Sequence, residues 1–278
     1  MNSSRRLNMS LIAACLSMIS VSLYSQGVTE NKDFQPHSGQ EGKDVVWVPT
    51  PQVLVDKMLD MAKITSQDFL MDLGSGDGRT VITAAKRGTR AQGIEYNPDM
   101  VSLSKQNATK EGVSDKAEFV KADLFETDFS RATVITLFLL PEINLRLRPI
   151  ILDLKPGTRI VSNTFTMDEW IPDDTTDVGD DESSWNMAYM WIVPAKVEGT
   201  WHLTQGDLIL KQEFQMVSGN LKTGNNTTEI LSGKLHGNEL TFTANGAQYT
   251  GKVNGNEIAG IITSGGSTSK WTATRTGK

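Results

Sequence analysis

Cysteine is almost missing from this sequence: Cys15 stands alone among 278 residues. A single thiol excludes an internal disulfide framework and a thiolate metal cluster. If the N-terminal segment is removed, no cysteine nucleophile remains. Histidine is nearly as scarce. His37, His202 and His236 are scattered without ligand spacing, so they read as surface residues and no metal is implied. Basic runs are absent as well, and the formal net charge is −6. An acidic body of this kind is a poor electrostatic partner for nucleic acid.

Long apolar runs are also lacking, with one short exception near the start. Arg5 and Arg6 precede an apolar stretch over residues 11–23, too short for a comfortable membrane span. A charged segment followed by such a stretch reads as a secretory signal over residues 1–25, so the mature chain is expected in the periplasm or outside the cell. An uncleaved anchor is the alternative. Ser4-Arg5-Arg6 hints at a twin-arginine signal whose remaining motif is poor. The lipobox-like Ile12-Ala13-Ala14-Cys15 is followed by more apolar residues, which argues against lipidation. Residues 26–44 are polar and read as a linker.

What is present is a glycine-dense turn in a telling context. Phe69-Leu70-Met71-Asp72-Leu73 reads as a strand, Gly74-Ser75-Gly76-Asp77-Gly78 as a turn, and Arg79 onward as a helix that stops at Gly88. Such a turn lets backbone come close to a ligand, and the helix behind it offers free N–H groups and a positive dipole end. It is not the dinucleotide type, because the third glycine place of G-x-G-x-x-G holds Arg79. Carboxylates at Asp72 and Asp77 repel a pyrophosphate and suit a positively charged ligand. Glu95 ends the next apolar segment, 21 residues after Gly74, where an acid accepts hydrogen bonds from ribose hydroxyls. A nucleoside with a cationic tail is S-adenosylmethionine.

These residues carry a family resemblance. Asp72 to Gly78, then Gly93-Ile94-Glu95-Tyr96-Asn97-Pro98, then Lys121-Ala122-Asp123-Leu124-Phe125 resemble motifs one, post-one and two of class I S-adenosylmethionine-dependent methyltransferases. The resemblance covers about residues 45–195. It is closest in look to the small seven-strand protein-lysine methyltransferases, through Val48-Pro49-Thr50, Pro141-Glu142 and the stretch Lys155-Pro156-Gly157-Thr158-Arg159. It implies S-adenosylmethionine as cofactor, held by Thr50, Asp72, Gly74, Ser75, Gly76, Gly78, Glu95 and Asp123. Two of these have a plainer reading beside the functional one. Thr50 either touches the methionine carboxylate or simply starts the next helix; Asp123 either faces the adenine amino group or caps the turn after it.

The acceptor is read from the segment after the fourth strand. Amide and nucleobase N-methyltransferases carry Asn/Asp-Pro-Pro-Tyr/Phe there, whereas this chain has Phe138-Leu139-Leu140-Pro141-Glu142. The asparagine of histone-type enzymes is missing too, so the catalytic residues stay open, with Glu142 and Tyr96 as candidates. The expected function is N-methylation of a protein lysine or other amine, with a membrane-associated substrate as one option. Two alternatives stand beside it: an O- or small-molecule methyltransferase, and a non-catalytic exported binding protein that keeps the fold.

Strand and helix patterns alternate across residues 45–165, which predicts an α/β, doubly wound Rossmann-like sheet with the ligand at the strands' C-terminal edge. Asp173 to Glu182 reads as an acidic surface loop, or as a rim that recruits a basic substrate. Residues 185–193 read as a closing antiparallel strand. From residue 196 the texture changes to short alternating segments between Gly and Asn turns, predicting a small antiparallel β-barrel or sandwich of about eight strands over residues 196–278. Gly199-Thr200-Trp201 and the distant Trp271 and Arg275 resemble the Trp–Arg corner that closes lipocalin-like barrels. So small a barrel leaves little room for a ligand, and its expected role is docking or stabilisation.

Overall fold

The computed structural model describes residues 34–179 and 185–275, which places the expected signal at 1–25 outside the described residues. Two β systems follow one another, and both belong to one unit that begins at Phe34.

The first is a seven-stranded sheet. Its strands are β1 (Phe69–Leu73), β2 (Arg90–Glu95), β3 (Ala117–Lys121), β4 (Val134–Leu137), β5 (Arg159–Asn163), β6 (Asp174–Asp177) and β7 (Met187–Ile192). They lie in the order β3-β2-β1-β4-β5-β7-β6, and only β7 is reversed, running antiparallel to both of its neighbours β5 and β6. The helices α1 (Gln52–Met61), α2 (Arg79–Lys86), α3 (Pro98–Lys110) and α4 (Pro141–Leu152) cover its faces. All four residues of β4 are buried, as a central strand packed on both sides requires. The chain reverses its strand order between β1 and β4, which opens a crevice at the C-terminal edge. One expectation is corrected. The acidic stretch is not all loop: Asp174–Asp177 pairs with β7 as an edge strand, since alternate residues there find backbone partners whatever their charge.

The second system is a closed antiparallel barrel. Its strands are β8 (Gly199–Leu203), β9 (Gly206–Glu213), β10 (Met216–Thr223), β11 (Asn226–Glu229), β12 (Leu231–His236), β13 (Glu239–Ala244), β14 (Ala247–Asn254), β15 (Glu257–Ser264) and β16 (Ser267–Thr274). Pairing of β9 with β10 closes the ring. The short β11 pairs only with β10 and leads into β12 across an irregularity at Ser232, whose φ is 52°. Eight strands therefore make the wall, as the turn spacing predicts. A hairpin at Phe214-Gln215 joins β9 to β10, with Phe214 in the left-handed region at φ 51°. Its interior is filled by aromatics: Phe242 stacks on Tyr249 at 4.6 Å, and both meet Trp271 edge-on. The Trp–Arg corner is present, with the Arg275 guanidinium 4.5 Å from the Trp201 ring and hydrogen-bonded to the carbonyls of Glu198 and Lys196.

That hairpin joins the two systems. Phe214 stacks on Trp170 at 5.9 Å, and the buried Gln215 donates to the Ile171 carbonyl at 2.7 Å. The barrel is thus seated on the segment between β5 and β6.

Candidate functional site

Chain order builds the site at the C-terminal ends of β1 and β2. Leaving β1, Gly74, Gly76 and Gly78 take φ values of 78°, 53° and 83°, a conformation that side chains with a Cβ resist. The N–H groups of Gly74 and Ser75 both donate to the Ile94 carbonyl, at 2.9 and 3.0 Å. Glu95, at the end of β2, accepts from the Gly76 N–H and the Asn97 N–H, each at 2.9 Å. One carboxylate therefore ties the turn to the start of α3, where the Asn97 side chain accepts from Asp99 N–H. A carboxylate has more acceptor sites than these two bonds use, so Glu95 keeps capacity for a ribose.

The glycines have different duties. A Cβ on Gly76 would collide with the Trp47 indole, and one on Gly74 would stand 3.1 Å from Leu139. Gly78 faces elsewhere: its Cβ would strike the Phe119 ring and Ser104. Gly78 is therefore a packing position where α2 meets β3 and α3, and it does not line the cavity. The sequence pattern cannot separate these roles, because all three glycines share the left-handed backbone.

Thr50, Asp72, Gly74, Ser75, Gly76, Glu95 and Asp123 line one cavity. Thr50 accepts from Asn163 Nδ2 at 3.2 Å, and its carbonyl accepts from Arg79 Nη1 at 2.9 Å. Helix α1 starts immediately after Pro51, so the helix-start reading of Thr50 and its place at the cavity coexist. Ser75 Oγ is buried against Gly93 and has no hydrogen-bond partner among the described residues. Asp123 performs its capping role by accepting from Phe125 N–H at 2.9 Å, while its other oxygen pairs with Lys43. That pairing holds the Asp123 carboxyl below its ordinary range, and Lys43 also lies 4.8 Å over the Tyr96 ring.

Residues 40–44, expected as the end of the linker, instead form part of the cavity wall together with residues 45–50. Lys43, Trp47, Arg79 and Phe138 line the cavity although motif reading missed them, as it missed Asn163, which reaches the site only through its bond to Thr50. Only Trp47 carried a usable signal, as an isolated tryptophan just ahead of the Val48-Pro49-Thr50 segment. Of the two catalytic candidates, Tyr96 lines the cavity, whereas Glu142 sits exposed in the first turn of α4 and does not.

Charge decides what the cavity suits. Arg79 pairs with Asp77 at 2.6 Å and Lys43 with Asp123. Asp72 and Glu95 remain without a cationic partner among the described residues. Burial, opposed by a 2.6 Å hydrogen bond from Thr136 and reinforced by the charges of Asp77 and Glu95, pushes Asp72 up to about 7. Surplus negative charge beside a backbone cradle favours a cationic ligand and opposes a phosphorylated one. The residues present fit S-adenosylmethionine.

Comparison with known proteins agrees. The ANTKMT methyltransferase domain matches residues 72–174. A protein-lysine N-methyltransferase from Saccharolobus islandicus is 41% identical over 152 residues, covering 54% of this chain and 94% of that protein. The adenine nucleotide translocase lysine N-methyltransferase of Mus musculus is 34% identical over 105 residues, covering 37% of this chain and 46% of that protein. Among solved structures, an RNA methyltransferase from Salinibacter ruber in complex with S-adenosyl-L-homocysteine superposes with a TM-score of 0.51 at 47% identity. It covers 54% of this chain and 96% of that one. Because the match to the Saccharolobus protein spans nearly its whole length at 41% identity, the chain belongs to the S-adenosylmethionine-dependent methyltransferases of the protein-lysine N-methyltransferase family.

Proposed function

We propose that the methyl acceptor is the side-chain amine of a protein lysine. The observation that carries this reading is the match to the Saccharolobus protein-lysine N-methyltransferase over 94% of that protein's length. The absence of Asn/Asp-Pro-Pro-Tyr/Phe after β4 supports it, as does the acidic balance of the chain. Export is part of the proposal, supported by Arg5-Arg6 and the apolar stretch at 11–23, with a membrane-associated acceptor as one form of it.

When bound, S-adenosylmethionine supplies an electrophilic methyl group on a sulfonium. The acceptor nitrogen would take that methyl, with the electron pair of the broken C–S bond left on sulfur and one proton released to water. This chain's residues would orient the two reactants and keep water out, both of which lower the barrier of a direct displacement. Gly74 and Gly76 allow the close backbone approach. Glu95 would hold the ribose hydroxyls, Asp72 would face the positive end, and Thr50, bonded to Asn163, would meet the methionine carboxylate. Asp123 is placed for the adenine amino group once Lys43 moves aside.

One solved relative is named an RNA methyltransferase, so a nucleobase acceptor is the competing reading. Methyl-labelled S-adenosylmethionine with the purified protein and a periplasmic and membrane extract, read by mass spectrometry, separates the two. Label on lysine Nζ is expected. Label on RNA, or on an oxygen atom, would refute the amine assignment.

A further inference from the structure

Just past β5 the backbone turns through Thr164 at φ 61°, a left-handed conformation that β-branched residues avoid. Such strain persists where the surroundings over-determine it, and it gathers at functional sites. Here the surroundings are specific. Thr164 N–H donates to the Met187 carbonyl at 2.8 Å, and Thr164 Oγ1 donates to Asn163 Oδ1 at 2.8 Å. From α4 the fully buried Asn144 donates to the carbonyls of Phe165 and Thr166 at 3.4 and 3.3 Å.

The corner so held delivers Phe165 to two other aromatics. Its ring lies 6.1 Å from Phe138 and 6.0 Å from Trp185, and Phe138 and Trp185 meet edge-on at 5.4 Å. Three chain segments contribute: the end of β4, the end of β5 and the approach to β7. None of the three rings is fully buried. Phe138 also lines the cofactor cavity. A packing cluster would close over its rings, as the barrel does with Phe242 at 2% exposure.

We propose that Phe138, Phe165 and Trp185 form the acceptor subsite, a wall that covers the hydrocarbon stem of the incoming side chain and leads its amine into the cavity beside Phe138. This rests on the amine-acceptor reading above. Flat apolar faces suit the methylene stem of lysine, whose charged head otherwise seeks water. Stripping water from an ammonium disfavours its charged form, and the neutral amine is the form with a lone pair to donate. The rim outside is acidic: Asp177 is exposed and stands opposite Met187 on β7, two residues from Trp185. A basic segment would therefore be drawn to the mouth of an apolar slot.

The test uses the full chain and a synthetic lysine-bearing peptide chosen from an array methylated by the wild-type protein. Phe165→Ala and Trp185→Ala should raise the peptide KM by about tenfold or more, with S-adenosylmethionine affinity by calorimetry unchanged, because neither ring lines the cofactor cavity. Trp185→Phe should restore most of the loss. Phe165→Leu guards against an alanine variant that fails to fold. Wild-type transfer to the peptide with unchanged KM in the folded variants overturns the wall alone. No wild-type transfer to any lysine on the array, or transfer to RNA instead, overturns the amine reading and the wall with it.

Discussion

The two β systems treat aromatic and polar groups in opposite ways. In the barrel, Phe242, Tyr249 and Trp271 are 2–5% exposed and packed against one another. At the open edge of the seven-stranded sheet, aromatic rings are left half-covered, and a carboxylate is buried without a cation. Ser75 there has a hydroxyl unpartnered among the described residues, and three glycines within five residues adopt left-handed backbone. Departures from ideal packing are tolerated where function needs them, and the surrounding fold supports them. The barrel interior is closed on itself, whereas the sheet edge gives up ideal packing around an open cavity.

The largest expected effect falls on the barrel. Phe242→Ala removes a ring from a filled interior and should cost about 3–5 kcal/mol, seen as a lower melting temperature. Calorimetry should still find the wild-type affinity for S-adenosylmethionine in the folded fraction. A parallel loss of affinity would break the division between the two regions. Gly76→Val is the mirror experiment. A side chain there collides with Trp47 and must adopt φ 53°. Binding should weaken by on the order of a hundredfold or more, with the barrel's Trp fluorescence unaltered. Retained affinity would remove the site from this turn.

Acidity sharpens the contrast further. Asp72 rises from an ordinary 3.8 to about 7 on folding. Between those values the folded chain keeps a proton that the unfolded chain has released, so stability of the ligand-free protein should fall as pH rises through that window. A cationic ligand has the opposite preference, because it favours ionised Asp72. Affinity for S-adenosylmethionine should therefore rise about tenfold from about pH 6 to pH 8, and Asp72→Asn should flatten the profile. A wild-type profile that is already flat would show that Asp72 does not face the positive end. The smallest effect belongs to Lys43→Ala. Freeing Asp123 from its ion pair should speed cofactor association by a factor of a few and leave melting unchanged; slower association would make Lys43 a binding residue instead.

How far the site was legible depended on how local its chemistry is. The Asp72–Gly78 turn and Glu95 were legible because a tight strand–turn–helix demands glycine at fixed spacing, and Glu95 ends the very next strand, where it binds the turn's Gly76 N–H. Gly78 was grouped with them for the same reason, yet its missing side chain makes room for Phe119. Lys43 and Asn163 left no pattern, since Lys43 joins the cavity, and Asn163 steadies Thr50, from segments distant in the chain. Phe138, Phe165 and Trp185 likewise look like ordinary apolar residues in the sequence.

Taken alone, the sequence determined the parallel sheet followed by a barrel, because strand period, turn residues and apolar runs are local properties of the chain. It also determined the class of ligand, through glycines and acids whose spacing is set by one strand–turn–helix unit. The tertiary structure alone decided the rest: residues 40–44 line the crevice, Asp72 loses its solvent, Phe214 seats the barrel on the β5–β6 segment, and three aromatics meet at one corner. Each of these depends on contacts between residues far apart in the chain, and on burial, which raises the energy of an unpaired charge only after folding has excluded the water.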